Sequence, residues 1–290
     1  MRRHALRAML LASGLGSVCF WVVVLSMVPH LEAREASNRL VARAQEIAGK
    51  AEPAASRQLV DQALATDPDN PRARRELAMH LLAEGHVDAA LEELRRVAAT
   101  DRRNGGAARE LAAVLYATKD VAGAVHWLRE AAKREPDSGP TYVGLAHCLL
   151  ETRDVPGALS AAERAVALSP RYHPAYAVLG RARWESGDLT GARAAFDDAL
   201  ELRPSDVATL SAAASVTTEL GDPDSALGYA RRAVTADPNE GLAWLVLSQV
   251  LTANGRGAEA RRALSRAQSL KQSGAENGRP QIRPHRRGSQ

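Results

Sequence analysis

The chain has 290 residues, of which 46% are hydrophobic but only 4% aromatic, and its formal net charge is +4. This alanine-rich composition favours helices packed through small residues over a β-sheet, because strands draw on β-branched and aromatic side chains. The positive charge lies at the two ends of the chain, in Arg2, Arg3 and Arg7 and again after residue 270, so the body between them is close to neutral. A body that binds nucleic acid should itself be basic, so nucleic acid is not expected as a partner.

The N-terminus combines a basic segment, residues 1–7, with the uncharged apolar run Ala8–Val28. A helix of this length spans roughly 30 Å, the thickness of the hydrocarbon core of a bilayer. No small-x-small cleavage site follows the run, so we expect an uncleaved transmembrane helix or signal-anchor rather than a signal peptide. The arginines before the run place the N-terminus in the cytoplasm and the rest of the chain beyond the cytoplasmic (inner) membrane, as a single-pass protein.

After a short charged linker, residues 29–36, prolines return at a fixed interval. A period of 34 residues connects Pro68, Pro136, Pro170, Pro204 and Pro238, with Arg102 at the remaining step. Proline cannot continue a helix, so each of these residues ends one. The period divides the chain into units that start at residues 37, 71, 105, 139, 173, 207 and 241, with the proline at position 32 of the unit.

The fifth unit, HPAYAVLGRARWESGDLTGARAAFDDALELRPSD, has the clearest internal pattern. Positions 4, 7, 8 and 11 share one face of a first helix, and positions 20, 24 and 27 share one face of a second. Small residues at positions 8 and 20, Gly180 and Ala192, let the two antiparallel helices approach closely, while Phe196 at position 24 fills the space beside them. Gly187-Asp188 predicts the turn between the helices. The first unit, 37–70, is degenerate and has Pro53 at its turn.

These positions resemble the tetratricopeptide repeat, most clearly from residue 71 to 270. The resemblance implies an all-α fold, a right-handed superhelical α-solenoid of antiparallel helix pairs with a concave groove, preceded here by one transmembrane helix. It also implies binding of other proteins or extended peptides in the groove. Residues 271–290 are rich in glycine, proline and polar residues and are predicted to form a disordered basic tail.

In tetratricopeptide arrays, positions 2, 5, 9, 12 and 13 of the first helix line the concave face. Carried onto this chain, the resemblance gives a candidate protein-binding groove that contains Arg75, Arg109, Tyr116, His147, Arg181 and Trp184. The arginines suit acidic or C-terminal carboxylate groups of a partner. The two aromatic side chains offer the flat amphipathic surface that anchors interfaces.

The sequence contains no recognisable catalytic chemistry. It has no metal-ligand spacing, no nucleophile motif and no phosphate-binding loop, so no catalytic residue, metal or cofactor is predicted. We therefore expect a non-enzymatic, membrane-anchored scaffold in a bacterial envelope complex for secretion, pilus or exopolysaccharide assembly. Two alternatives stay open: an assembly chaperone that holds an unfolded client such as an apocytochrome, and an auxiliary subunit of a membrane polysaccharide enzyme, in which Tyr116 and Trp184 would stack on sugar rings.

Overall fold

The computed structural model describes residues 18–50, 52–100 and 105–277, and within these ranges the fold is an α-solenoid of fourteen helices without a β-strand. The helices are α1 Val18–Ala48, α2 Pro53–Thr66, α3 Pro71–Ala83, α4 Val87–Thr100, α5 Gly105–Ala117, α6 Val121–Arg134, α7 Gly139–Glu151, α8 Val155–Leu168, α9 His173–Glu185, α10 Leu189–Leu202, α11 Val207–Glu219, α12 Pro223–Ala236, α13 Gly241–Ala253 and α14 Gly257–Asn277. Odd-numbered helices are the first helices of their repeats, and even-numbered helices are the second. The chain divides into two compact units, Met1–Leu115 (unit 1) and Tyr116–Gln290 (unit 2).

In the second to seventh repeats, the turn between the first and the second helix has a residue with positive φ at position 15. Four of these residues are glycines, for which such a conformation costs little: Gly85, Gly187, Gly221 and Gly255. Lys119 and Arg153 occupy the same position with φ of 71° and 63°. At position 16 the side chain of an aspartate then accepts a hydrogen bond from a backbone N–H in the first turn of the second helix, as seen for Asp120, Asp154, Asp188 and Asp222.

The periodic prolines end the second helices as predicted. Helices α2, α6, α8, α10 and α12 each end two residues before the proline at position 32. In two repeats this junction is also held by a side chain at position 4 of the next first helix. Tyr176 Oη donates to the Pro170 carbonyl at 3.1 Å, and Trp244 Nε1 donates to the Pro238 carbonyl at 2.9 Å. In these two repeats, the proline therefore marks a connection that a hydrogen bond from the following repeat stabilises.

The fifth repeat shows how a small and a large side chain pack the two helices of a pair together. In the fifth repeat, Ala192 and Phe196 are almost fully buried. A Cβ added to Gly180 would lie 2.6 Å from two carbons of the Phe196 ring, so only glycine lets α9 approach α10 this closely. The Phe196 ring thus fills the space that the missing side chain leaves.

The first, degenerate repeat also packs as a helix pair. Ser37 Oγ donates to the Ala63 carbonyl at 2.8 Å, and Ser56 Oγ donates to the Ala44 carbonyl at 2.9 Å. Pro53 does not break α2 because it is the first residue of that helix, where no intrahelical N–H bond is lost. The unusual proline therefore starts a helix instead of disrupting the turn.

Two expected boundaries differ from the structure. The predicted linker, residues 29–36, is helical, because α1 runs without a break from Val18 to Ala48 with Pro29 inside it. Its charged and alanine residues are good helix formers, and charge alone does not end a helix. The predicted tail is helical as far as Asn277, since Lys271, Gln272 and Glu276 also favour helix, and the Gly-Arg-Pro sequence comes only at 278–280.

No helix within the described ranges has both the length and the apolar character needed to cross a membrane. Of the predicted transmembrane segment Ala8–Val28, residues 8–17 lie outside the described residues. The basic segment 1–7 and residues 278–290 of the tail also lie outside them.

Candidate binding surfaces on the first helices

Unit 2 contains a cavity of about 530 Å³ formed by its first helices α7, α9, α11 and α13, which we call the apolar slot. Its walls are mostly small or apolar side chains at positions 2, 5 and 6 of successive repeats: Val143, Pro174, Ala177, Val178, Ala208, Ser211, Ala212, Leu242 and Val246. The buried Phe196 ring also lines it. The slot exists because small residues recur at the same positions of neighbouring repeats, so no side chain fills the space between their helices.

One charged and one neutral side chain at the slot, Arg181 and Trp184, are paired with acids on neighbouring first helices. Arg181 Nη2 lies 3.2 Å from Glu151 Oε1, and both side chains are about 40% exposed. Trp184 Nε1 donates to Glu219 Oε2 at 3.0 Å. Both acids stand at position 13 of their repeats. They bind residues of the adjacent repeat, so Arg181 is partly neutralised before any ligand arrives.

A second polar contact joins Tyr116 to His147, which also lines the slot. Tyr116 Oη and His147 Nε2 are 3.1 Å apart, and the rings meet edge to face with centroids 5.4 Å apart. Burial lowers the pKa of His147, and the nearby Arg181 lowers it further, so the imidazole is neutral at neutral pH. Burial likewise raises the pKa of the Tyr116 hydroxyl, with a contribution from Glu151.

Unit 1 presents a different surface, a cavity of about 600 Å³ that we call the basic pocket. It is lined by four arginines, together with one acid and two asparagines, from α1, the start of α3 and α5: Arg34, Arg72, Arg75, Arg109, Glu110, Asn38 and Asn70. Arg75 Nε donates to Glu110 Oε2 at 2.6 Å. Among the described lining residues, four are arginines and one is an acid, so these residues have a formal charge of +3.

Asn70 fixes the geometry on one side of the basic pocket. Its side-chain oxygen accepts hydrogen bonds from the backbone N–H groups of Arg72 and Ala73, which caps α3. Its amide donates to Ser37 Oγ at 2.7 Å and to Asn38 Oδ1 at 3.1 Å. The asparagine is fully buried, so the N-terminus of α3 and the arginine that follows it are held against α1.

The six candidate residues from the sequence fall into these two surfaces. Arg75 and Arg109 line the basic pocket, while His147, Arg181 and Trp184 line the apolar slot, and Tyr116 contacts His147. The prediction left out the small and apolar residues at the same positions, among them Ala177 and Ser211. The repeat register placed these small residues on the first-helix surface, but a search for charged and aromatic side chains does not detect them.

Two further observations concern the reactive side chains in the part of the chain that the structure describes. Burial raises the pKa of the Cys148 thiol to about 11, so the thiolate is scarce at neutral pH. Across the described ranges, histidine, cysteine, aspartate and glutamate side chains form no group of three or more that could hold a metal ion.

Sequence comparison decides the family. Two family models, each described as the tetratricopeptide repeat, match the chain, one at residues 143–207 and the other at residues 48–115 and 218–276. Together they cover more than half of it. The chain belongs to the tetratricopeptide-repeat family. No curated protein matches it in sequence.

Solved structures of other tetratricopeptide-repeat proteins show the same fold. A repeat protein from Parabacteroides merdae aligns with a TM-score of 0.66 at 11% identity, over 81% of this chain and 93% of that one. PilF of Pseudomonas aeruginosa aligns with a TM-score of 0.63 at 19% identity, over 73% and 96%. YrrB, described as having an unusual peptide-binding site, aligns with a TM-score of 0.51 at 18% identity, over 63% and 95%. At these identities the likeness concerns the fold alone.

Proposed function

We propose that this protein is a non-enzymatic scaffold that holds an extended segment of a partner protein against the first helices of its repeats. The observation that carries the proposal is the apolar slot, where four successive first helices leave about 530 Å³ between small and apolar walls. A cavity of this size lies in the range used for ligands, and folded proteins seldom leave apolar surface uncovered without a use for it. An extended segment fits best, because the wall positions recur along successive helices.

The basic pocket of unit 1 supports the same kind of function with a different chemistry. Four arginines around one carboxylate attract acidic side chains, and guanidinium groups bind carboxylates with paired hydrogen bonds. We propose that this pocket contacts an acidic stretch of a partner. The peptide-binding site named for YrrB is consistent with a tetratricopeptide array used in this way.

We further propose that the scaffold is anchored in the cytoplasmic membrane through Ala8–Val28, with the repeats beyond the membrane and the partners in an envelope complex. The support is the 21-residue uncharged run with arginines on one side only. The test is carbonate extraction of membranes that contain the full chain, followed by protease treatment of spheroplasts. We expect the chain to stay in the pellet and its C-terminus to be digested. Release by carbonate, or protection from the protease, would contradict the proposal.

Peptide binding in the slot can be tested by filling it. Ala212 lines the slot, and Ala212→Trp places a large ring in the space that a ligand would use. Ala194, an exposed alanine on the second helix α10, gives the matched control Ala194→Trp. Each full-length chain is immobilised and offered a random library of twelve-residue peptides, and the melting temperature confirms that all three chains are folded.

We expect the unmodified chain and Ala194→Trp to select the same peptides, and Ala212→Trp to select none of them. If Ala212→Trp selects the same peptides as the unmodified chain, binding lies elsewhere on the surface. If the unmodified chain selects no peptide at all, the scaffold does not recognise extended segments through this slot.

A further inference from the structure

Helix α1 connects the basic pocket to the apolar run at the N-terminus. It is continuous from Val18 to Ala48, so it includes the end of the uncharged run that the proposed function places in a membrane. Arg34 lines the basic pocket and lies six residues after Val28, the last residue of that run. Because a helix rises 1.5 Å per residue, Arg34 lies about 9 Å beyond the end of the run.

This distance is comparable to the depth of the headgroup layer of a bilayer. The hydrocarbon core is about 30 Å thick and the whole bilayer about 40–45 Å, so the headgroups form a layer of roughly 5–8 Å on each side. A long arginine side chain near a helix end can extend towards such a layer. About one turn before Arg34, on the side of the apolar run, the Leu31 side chain is 59% exposed. In an anchored chain the basic pocket therefore lies at the surface of the bilayer.

The pocket also offers guanidinium groups that no carboxylate neutralises. Arg75 is paired with Glu110. Within the ranges that the structure describes, Arg34 and Arg72 take part in no ion pair, and both side chains are exposed. Together with Arg109, the arginines reach the cavity from α1, α3 and α5. Donors on three helices suit a phosphate group, which has three strong acceptor oxygens, better than a planar carboxylate, which a single guanidinium can bind.

We infer that the basic pocket binds the phosphate of an anionic phospholipid in the leaflet that faces the repeats. The inference rests on the proposed function, because the anchor brings the pocket to the bilayer, where basic groups attract anionic lipid. It also goes beyond that function, which gives the same arginines to an acidic segment of a partner. Lipid headgroups surround an anchored chain at high local concentration, whereas a partner has to diffuse to it. The lipid is therefore the resident ligand, and an acidic segment has to displace it.

Native mass spectrometry of the full chain in a non-ionic detergent counts the bound lipids directly. The probes are dioleoyl phosphatidylglycerol, which is anionic, and dioleoyl phosphatidylcholine, in which the choline group offsets the charge of the phosphate. Each lipid is titrated into the detergent. We expect phosphatidylglycerol to bind more tightly by about one order of magnitude, because each arginine near an anionic headgroup contributes about a factor of five.

Two pairs of variants locate the bound lipid. Arg34→Gln and Arg72→Gln each remove one arginine of the pocket and should weaken phosphatidylglycerol binding about fivefold. The matched controls are Arg39→Gln in α1 and Arg95→Gln in α4, which change arginines that do not line the pocket and should leave the binding unchanged. All four side chains are exposed, so all four variants are expected to fold. The arginines in residues 1–7 also attract anionic lipid, but every chain contains them, so the comparison between variants reports on the pocket.

Two soluble anions separate the membrane from other sources of negative charge. Inorganic phosphate and octaglutamate are added at the same concentration as the lipid, which stays concentrated in the micelle around the anchor. We expect neither anion to remove the bound phosphatidylglycerol. Displacement by phosphate would make the pocket a site for a soluble phosphate compound, and displacement by octaglutamate would make it a site for an acidic protein segment. Either result would overturn the inference.

Equal binding of the two lipids, or equal losses for the pocket variants and their controls, would also exclude a headgroup site in the pocket. These failures differ from a failure of the anchor, which carbonate extraction tests separately. A chain that stays in the membrane pellet but shows no preference for phosphatidylglycerol keeps its anchor and loses the headgroup site. A chain that carbonate releases has no anchor to hold the pocket at the bilayer, so the inference fails with the anchor.

Discussion

The two units pack their helix pairs with similar residues at equivalent positions, but the surfaces of their first helices differ. In unit 1 the second repeat has Ala78, Ala90 and Leu94 at positions 8, 20 and 24, and all three are buried. In unit 2 the fifth repeat has Gly180, Ala192 and Phe196 at the same positions, also buried. The surface positions show no such agreement, because unit 1 places arginines around its cavity and unit 2 places alanine, valine and serine.

This comparison separates what the repeat requires from what it leaves free. Positions 8, 20 and 24 close the gap between the two helices in both of these repeats, and in both a large residue at position 24 packs beside small residues at positions 8 and 20. The positions that line the two cavities carry different side chains in the two units, so their chemistry can change without loss of the fold. The same scaffold therefore presents a basic pocket in one unit and an apolar slot in the other.

The largest expected effect tests the shared interior. Phe196→Ala should lower the free energy of unfolding by about 3–5 kcal/mol, because the ring is 1% exposed and its loss leaves a cavity. Leu94→Ala, at the equivalent position of unit 1, should lower it by about 2–5 kcal/mol. Urea unfolding of the full chain measures both, with Leu202→Ala, a leucine 42% exposed, as the control.

Leu202→Ala should change the free energy of unfolding by less than about 0.5 kcal/mol. If Phe196→Ala were as mild as this control, the interior assigned to unit 2 would be wrong. If only Leu94→Ala had a small effect on the free energy of unfolding, position 24 would not have the same packing role in the two units.

A smaller effect tests whether a small side chain at position 8 compensates for a large side chain at position 24. Gly180→Ala should destabilise the chain by about 1–3 kcal/mol, although alanine normally favours a helix, because its Cβ would lie 2.6 Å from the Phe196 ring. Phe196→Leu creates the space for it, and the double variant carries the same Ala–Leu pair as Ala78 and Leu94 in unit 1. In that background Gly180→Ala should be neutral or stabilising.

A double-mutant cycle from urea unfolding measures this coupling between the two positions. Additive effects of Gly180→Ala and Phe196→Leu would show that the two residues do not compensate each other, and the likeness between the two interiors would then be accidental.

The sequence was sufficient to predict the helices and the turns between them, but it was not sufficient to predict the cavities. The prolines at position 32 and pairs such as Gly187-Asp188 act locally, so helix ends and turns could be predicted residue by residue. Lys119 and Arg153 could not be predicted to have positive φ, since neither residue type favours it and the packing of the helix pair imposes it. Residues 29–36 were predicted to be a linker because they are charged, but charged residues are common both in linkers and on exposed helix surfaces.

The apolar slot shows why a site of this kind escapes sequence analysis. Its walls come from four repeats, and its existence depends on residues that are small together, such as Ala177 and Ala212, rather than on any one distinctive side chain. The resemblance suggested positions on the first helices, and the structure was needed to show which first-helix positions leave space, among them position 6, which the prediction did not include. The pairing of Arg181 with Glu151 also depends on the distance between neighbouring first helices.

A modest effect tests the difference between the two surfaces. An octaglutamate peptide should bind the basic pocket with an affinity that falls as salt rises, because exposed charges are screened. Arg72→Gln should weaken this binding about three- to tenfold at low salt, in line with the loss of one charge-assisted contact. Arg95→Gln, the same change in an exposed arginine on the second helix α4, should have little effect.

Fluorescence anisotropy of a labelled peptide, from low to physiological salt, measures this binding. Equal losses for Arg72→Gln and Arg95→Gln would mean that net charge, rather than the pocket, attracts the peptide.

The smallest effect is a pH dependence that arises in unit 2. Burial and Arg181 lower the pKa of His147 in the folded chain, while Glu151 acts in the opposite direction. The unfolded chain, with a histidine pKa of about 6.5, therefore takes up a proton at a pH where the folded chain does not. The stability that His147 contributes is complete above about pH 6.5, and it is lost as the pH falls from there towards the lower pKa of the folded state.

Urea unfolding between pH 8 and pH 5 detects this loss as a slope. We expect His147→Gln to unfold with a shallower slope than the unmodified chain, because the variant has no imidazole to protonate at this site. The matched control is His126→Gln, the same change at an exposed histidine of the same unit. Slopes are compared rather than absolute stabilities, since His147→Gln also removes the contact with Tyr116. Identical slopes for all three chains would mean that His147 is as open to protonation as an exposed histidine, and the apolar character assigned to this side of the slot would be wrong.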